Sequence, residues 1–326
     1  MKKLILFSGL IILLCSCEKS SDFINILDGI PIKSIAFDSH GTAWIGTHKQ
    51  GIIKYTSGTA TYYNSSNSTF QDASIIYTIK VDSKDNVWIG GHALTKFDGK
   101  DFVTYNSSNS PIPEDWVTSI AIDSKDNIWF NSCRYKQGGI VKFDGTNWTV
   151  FTPDNSPMPV NYVKSIAIDK NDNVYLAFQE KVNHLALAKI SNDKWTFITD
   201  SILGFPPYWF GNIMINSKGD LCGALDYSLF PDPSQKNPGP QIFIYNGKTT
   251  TQLSFDDYTD IAGLTIDNSD NIWCFGYSIY HPAVYAVYNG NKWSVDYSRF
   301  EDIFAIEQSP DHKIWFGTGN GVYIME

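Results

Sequence analysis

Apolar and polar side chains alternate in short runs along most of this chain, and the runs recur. Ile79-Lys80-Val81 and Ile120-Ala121-Ile122 put every second side chain on one face, the signature of a half-buried strand. Each run is followed by an Asp-Ser-Lys-Asp-Asn turn and then by a second apolar run, Val87-Trp88-Ile89-Gly90 or Ile128-Trp129-Phe130. A third strand ends in another turn, as in Gly139-Ile140-Val141-Lys142-Phe143-Asp144-Gly145, and a fourth reads Trp148-Thr149-Val150-Phe151. The unit is therefore a meander of four antiparallel strands.

Copies of this unit follow one another. Others begin at Ile35-Ala36-Phe37-Asp38, Ile166-Ala167-Ile168-Asp169 and Leu264-Thr265-Ile266-Asp267, with degenerate copies at Ile213-Met214-Ile215-Asn216 and Phe304-Ala305-Ile306-Glu307. Aligned on the tryptophan position of the second strand they fall at Trp44, Trp88, Trp129, Tyr175, Cys222, Trp273 and Trp315, 41 to 51 residues apart. Seven meanders of this length predict an all-β fold, a seven-bladed β-propeller with four-stranded antiparallel blades. No such sheet can cover both of its apolar faces alone, whereas neighbours packed in a ring can. The last copy supplies three strands, through Lys313–Thr318 and Gly321–Ile324, and Phe23-Ile24-Asn25-Ile26-Leu27 stands where a fourth belongs. An N-terminal strand completing the last blade is expected to close the ring and to pair two otherwise exposed sheet edges.

The repeat I-x-x-D-x-x-x-N-[IV]-W-[IF]-G followed by G-[IL]-x-[KR]-[FY] resembles the two-component regulator propeller repeat. That family occurs in the periplasmic sensor propellers of hybrid histidine kinases, common in gut Bacteroidetes. The resemblance covers about residues 30–326. It implies the propeller and a sensing context, and it leaves activity open because the fold serves many functions. Family members add a β-sandwich domain, a membrane helix and a kinase. The expectation here is a stand-alone lipoprotein that does not signal by phosphotransfer on its own.

The first residues follow another pattern. Met1-Lys2-Lys3, the apolar run Leu4 to Leu14, and Leu14-Cys15-Ser16-Cys17 resemble a bacterial lipoprotein signal. The resemblance implies a signal peptide over 1–16, a lipid on Cys17, a tether over 17–22, and a propeller over 23–326. Acyl chains hold such a protein on the cell envelope without a spanning helix, and the outer membrane is the expected location. Removing 1–16, which carries Lys2 and Lys3 and no acid, takes the formal charge from -9 to -11. This acidity and the absence of a basic run argue against a nucleic-acid partner. Cys133, Cys222 and Cys274 remain, an odd number without metal spacing, and read as small buried hydrophobes. The Asp-rich turns lack calcium-loop spacing and read as turn closures. No cofactor or metal motif is found.

A binding face is expected where the loops entering the first strands gather with those joining the second and third. The latter are long in the middle units: 131–139 carries Arg134, 178–185 carries His184, 226–241 carries Tyr227, and 276–283 carries Tyr280. Trp116, Tyr162 and Trp209 precede the first strand in three consecutive units and are expected to form an arc at the mouth of the central channel. Aromatics beside Arg134 suit sugar rings, other small ligands or a protein loop. The candidate ligand-binding residues are thus Trp116, Arg134, Tyr162, His184, Trp209, Tyr227 and Tyr280. A docking scaffold for another envelope protein is the first alternative. Streptogramin lyases, seven-bladed propellers with a His/Glu site, are the second. None of the histidines His40, His48, His92, His184, His281 and His312 falls on an expected inner strand, so no His/Glu pair assembles, and an enzyme is not expected.

Overall fold

In four of the repeats an Asp closes its own turn and then reaches the repeat's tryptophan. In the computed structural model of the chain, Asp82 Oδ1 accepts the N–H groups of Lys84 (3.0 Å) and Asn86 (2.9 Å), while Oδ2 accepts Trp88 Nε1 at 2.9 Å. Asp38–Trp44, Asp123–Trp129 and Asp267–Trp273 repeat the contact at 3.2, 3.2 and 2.9 Å. The turn needs one left-handed residue, and Asp85 supplies it at φ 59°. The structure describes residues 23–70, 75–134, 137–182, 185–205, 210–226, 239–254, 259–278, 283–297 and 300–325.

Beginning at the N-terminus, β1 (Phe23–Ile26) precedes the first blade of β2 (Ile32–Phe37), β3 (Ala43–Thr47), β4 (Ile52–Thr56) and β5 (Thr59–Tyr63). The second blade is β6 (Thr78–Val81), β7 (Val87–Gly90), β8 (Leu94–Phe97) and β9 (Phe102–Tyr105). The third is β10 (Ile120–Ile122), β11 (Ile128–Arg134), β12 (Gln137–Phe143) and β13 (Trp148–Phe151). The fourth is β14 (Val163–Ile168), β15 (Val174–Val182), β16 (Leu185–Ser191) and β17 (Lys194–Thr199), followed by the helical turn α1 (Asp200–Leu203). The fifth is β18 (Phe210–Ile215), β19 (Leu221–Leu225), β20 (Ile242–Tyr245) and β21 (Thr250–Leu253). The sixth is β22 (Thr259–Ile266), β23 (Ile272–Ser278), β24 (Val284–Tyr288) and β25 (Trp293–Tyr297). The seventh holds β26 (Ile303–Gln308), β27 (Ile314–Thr318) and β28 (Gly321–Met325), with β1 as its outer strand.

The expected seven-bladed propeller is thus the observed fold, and the ring closes as expected. β1 runs antiparallel to β28 with Phe23 opposite Met325 and Ile26 opposite Val322. Phe23 sits edge-on to Phe300 and Phe316 at 5.4 and 5.6 Å.

Seven apolar clusters hold the wheel, one in each gap between blades. Trp44 and Ile52 of the first blade meet Ile79, Val87 and Phe97 of the second, and Trp315 and Val322 of the seventh meet Ile35, Ile45 and Ile53 of the first. The glycine after the tryptophan makes room for the next blade: a Cβ on Gly90 would stand 2.8 Å from Val117 O. A second bond system ties blades at the turn face. Ser39 N–H and Oγ–H donate to Asp85 of the next blade (2.9 and 2.7 Å), and Ser83–Asp126, Ser124–Asp172 and Ser217–Asp270 repeat the pair. The serine of the repeat, read in the sequence only as a turn residue, therefore also belongs to its neighbour.

Two expectations need correction. The degenerate last copy is displaced by two residues, because β26 places Glu307 opposite Trp315, where Ala36 stands opposite Trp44. Ile306-Glu307-Gln308-Ser309 is therefore the true counterpart of Ile35-Ala36-Phe37-Asp38. Also, 131–134 and 137–139 are not loop but extensions of β11 and β12, paired from Asn131–Ile140 to Arg134–Gln137. The sequence hid this because Asn131, Ser132 and Cys133 are polar or small yet fully buried. Cys133, Cys222 and Cys274 are buried thiols in no disulfide, as expected, and burial pushes Cys133 and Cys222 up to about 12.

Candidate functional site

The inner strands build a stack of residue rings around the axis. At the entrance of β2, β14, β22 and β26 the pairing with the second strand slips, at Ile32/Ser34, Val163/Ser165, Ile261/Gly263 and Ile303/Ala305. Each slip leaves one unpaired residue: Lys33, Lys164, Ala262 and Phe304. A bulge re-aims its extra side chain, and all four line the central channel. Tyr77 and Thr118 hold the matching place in the second and third blades, and Gly211 holds it in the fifth, where the pairing slips between Phe210 and Ile213. The channel cavity measures about 910 Å³ and is also lined by Trp116, Tyr162, Lys80, Ser119, Ser165 and Asn212.

Immediately below this ring, small polar side chains lace inner strands together. Ile166 N–H donates to Ser119 Oγ (3.0 Å) and Ile213 N–H to Ser165 Oγ (3.1 Å), while Asn212 both donates to Leu264 O (2.8 Å) and accepts from Leu264 N (2.7 Å). The channel wall is thereby fixed in position.

Trp116 and Tyr162 stand two residues before Thr118 and Lys164, at the mouth, so the structure brings together two members of the expected arc. Their carbonyls are held alike by the second strand: Cys133 N–H donates to Trp116 O (3.1 Å) and Gln179 N–H to Tyr162 O (2.9 Å). Arg134, exposed at the tip of β11, lies with its guanidinium carbon 5.4 Å from the Trp116 ring, a cation–π arrangement. Tyr77 and His92 pack on the same indole at 5.2 and 4.9 Å. Trp209, His184, Tyr227, Tyr280 and Cys17 lie outside the described residues.

Sequence reasoning missed several contributors. Lys33, Lys164 and Phe304 could not be seen as ring members because bulges break the alternation that marks a facing side, and Tyr77 lies ahead of the alternating run that begins at Thr78. His92, off the inner strands as expected and exposed, borders Trp116. Asn131 is the buried support of the site. Its Oδ1 accepts the N–H groups of Thr118 (2.8 Å) and Ser119 (2.9 Å), and its Nδ2 donates to Thr118 Oγ1 (2.8 Å) and Val163 O (2.9 Å). Ser132 fixes the segment ahead of Trp116 by donating to Glu114 O at 2.6 Å.

Charge in the channel is uneven. Lys33 Nζ lies 3.0 Å from the centroid of the Phe304 ring, and burial lowers its pKa while Asp302 partly restores it. Deeper in, Glu307 and Lys80 hold corresponding places on β26 and β6, separated by the small Ala36 of β2. Burial raises the Glu307 carboxyl and Lys80 draws it partly back. No histidine appears among the described residues that line the channel.

No protein-family model matches the chain, and no curated protein matches it in sequence. Solved structures share its fold. The extracellular domain of the hybrid two component system BT4673 from B. thetaiotaomicron is 16% identical with a TM-score of 0.72, covering 94% of this chain. This chain spans 42% of that domain's length. Virginiamycin B lyase from Staphylococcus aureus is 13% identical with a TM-score of 0.72, covering 93% of this chain and 97% of the lyase. YCF48 bound to D1 peptide is 12% identical with a TM-score of 0.66, covering 93% of this chain and 94% of YCF48. At these identities the likeness shows the fold. No helix among the described residues is long and apolar enough to cross a membrane.

Proposed function

We propose that this chain is an exported binding protein, held to the cell envelope by lipid on Cys17, that takes a glycan or other small ligand at the mouth of its channel. One observation carries the reading: Trp116 and Tyr162, register-equivalent in adjacent blades, border a cavity of about 910 Å³ with Arg134 over the indole. Stacking faces beside a forked cation suit sugar rings. The extracellular placement of the BT4673 domain, which shares the fold, agrees with export.

The chain's entry supports the geometry such a protein needs. Phe23 pairs with Met325, which pairs with Ile314 beside the 309–313 turn, so β1 enters at the turn face, opposite the mouth. A lipid on Cys17, with five residues between it and Phe23, leaves the mouth pointing away from the membrane.

A glycan array and a thermal-shift screen on residues 18–326 test the reading. Binding that disappears in Trp116→Ala and Tyr162→Ala, with the melting temperature kept, supports it; binding indifferent to both changes refutes it. YCF48, which shares the fold, holds a peptide, and this favours a second reading in which the same mouth docks an envelope protein. Retrieval of one envelope protein by the wild type but not by Trp116→Ala, with no glycan bound, selects that reading.

A further inference from the structure

We infer that the channel ligand is anionic, a sugar ring carrying a carboxylate or a sulfate ester; the inference rests on the channel-mouth reading above and names its ligand class. The ring at the channel entrance is divided in two. Through the first four blades it presents Lys33, Tyr77, Thr118 and Lys164, each a hydrogen-bond donor and two of them cations. Through the last three it presents Gly211, Ala262 and Phe304, which offer no side-chain donor. All seven line the one cavity. The stacking faces, Trp116 and Tyr162, rise directly above Thr118 and Lys164 on the donor side.

The charge balance of the lining runs against that of the chain. Acids outnumber Lys and Arg by 34 to 25 in the sequence, yet the described lining residues include Lys33, Lys80 and Lys164 and no carboxylate. Among the described residues none of these three has a carboxylate within 4.0 Å. Asp302 offsets the cost of burying Lys33 only in part and from beyond 4.0 Å; a partly buried ammonium so incompletely compensated is costly, and a ligand anion removes that cost. Glu307 lies deeper and opposes Lys80, so Lys33 and Lys164, three blades apart at one level, are the groups left to receive the anion. Arg134 adds a third cation on the aromatic side of the mouth.

Isothermal titration of residues 18–326 with digalacturonate, a chondroitin-sulfate disaccharide and neutral maltose separates the outcomes. The two acidic probes distinguish carboxylate from sulfate recognition. The inference expects an acidic probe to bind and maltose not to. It expects at least tenfold weaker binding in Lys33→Met/Lys164→Met, near-full retention in Lys164→Arg, and weakening between 20 and 200 mM salt, as screening demands, by roughly several-fold. Unchanged melting temperatures show that the variants fold. Maltose bound as well as the acids, and lost in Trp116→Ala, sinks the anionic class and leaves the mouth reading standing. Acidic binding that ignores both Trp116→Ala and the double lysine variant sinks both. No acidic probe bound at about 10 mM, well above ordinary ligand affinities, overturns the inference.

Discussion

Trp315 Nε1 is buried without a hydrogen-bond partner because Ser309 occupies the position where Asp38, Asp82, Asp123 and Asp267 serve the tryptophans of other blades. Ser309 still closes its turn, accepting Lys313 N–H at 3.1 Å, but it has no second oxygen to meet the indole 8% exposed behind it. Asp311 bonds Ser309 Oγ, so restoring the acid alone would set two carboxylates side by side. Ser309→Asp with Asp311→Lys restores the Asp and Lys of the Asp82-Ser83-Lys84 arrangement, with Pro310 kept between them. It should raise stability by about 1 kcal/mol, the worth of one satisfied buried donor. Urea denaturation checks it; an unchanged midpoint means that the orphan costs nothing. The reverse change, Asp82→Ser, should cost about 2 kcal/mol by orphaning Trp88.

Closure of the ring predicts an asymmetric response at the N-terminus. Deleting residues 22–27 removes the buried side of β1 and exposes the edge of β28. Loss of Phe23 and Ile26 burial alone should cost roughly 3 kcal/mol, and calorimetry should show a sharply lower melting temperature. Ile24 faces outward, 44% exposed, so Ile24→Lys should leave the melt unchanged.

The serine–aspartate belt makes the wheel acid-sensitive. Hydrogen bonds from Ser39, Ser83, Ser124 and Ser217 hold Asp85, Asp126, Asp172 and Asp270 below the ordinary carboxylate value. Carboxyls depressed in the folded state contribute fully above their unfolded value and lose that contribution as pH falls through the lowered one. Melting temperature should therefore hold from neutral pH down to about 4 and then fall. Asp126→Asn should start lower at pH 7 and decline less steeply in acid. Parallel curves for the two proteins would remove the belt from the explanation.

Asn131 couples stability to the site. Asn131→Ala strands the N–H groups of Thr118 and Ser119, leaves the Val163 carbonyl with only the weak Cys133 thiol donor, and should cost about 3 kcal/mol. Because the same bonds set Thr118 below Trp116, ligand affinity should drop even at temperatures where the variant is fully folded. Denaturation and titration of the one variant measure both.

The sequence alone determined the wheel. A seven-fold meander with two apolar faces has one way to bury them all, and the Asp, Asn, Trp and Gly of the well-preserved copies encode their turns and their packing. The arc of Trp116 and Tyr162 was legible too, since both sit at a fixed offset from their strands. What tertiary structure decided is everything that crosses between blades or breaks register. Ser83 reaches Asp126 only once the blades stand side by side, and the displacement of Glu307 and Ser309 shows only in their pairing with β27. Lys33 and Lys164 face the channel because bulges turn them there, and a bulge leaves no mark in a pattern of alternating side chains.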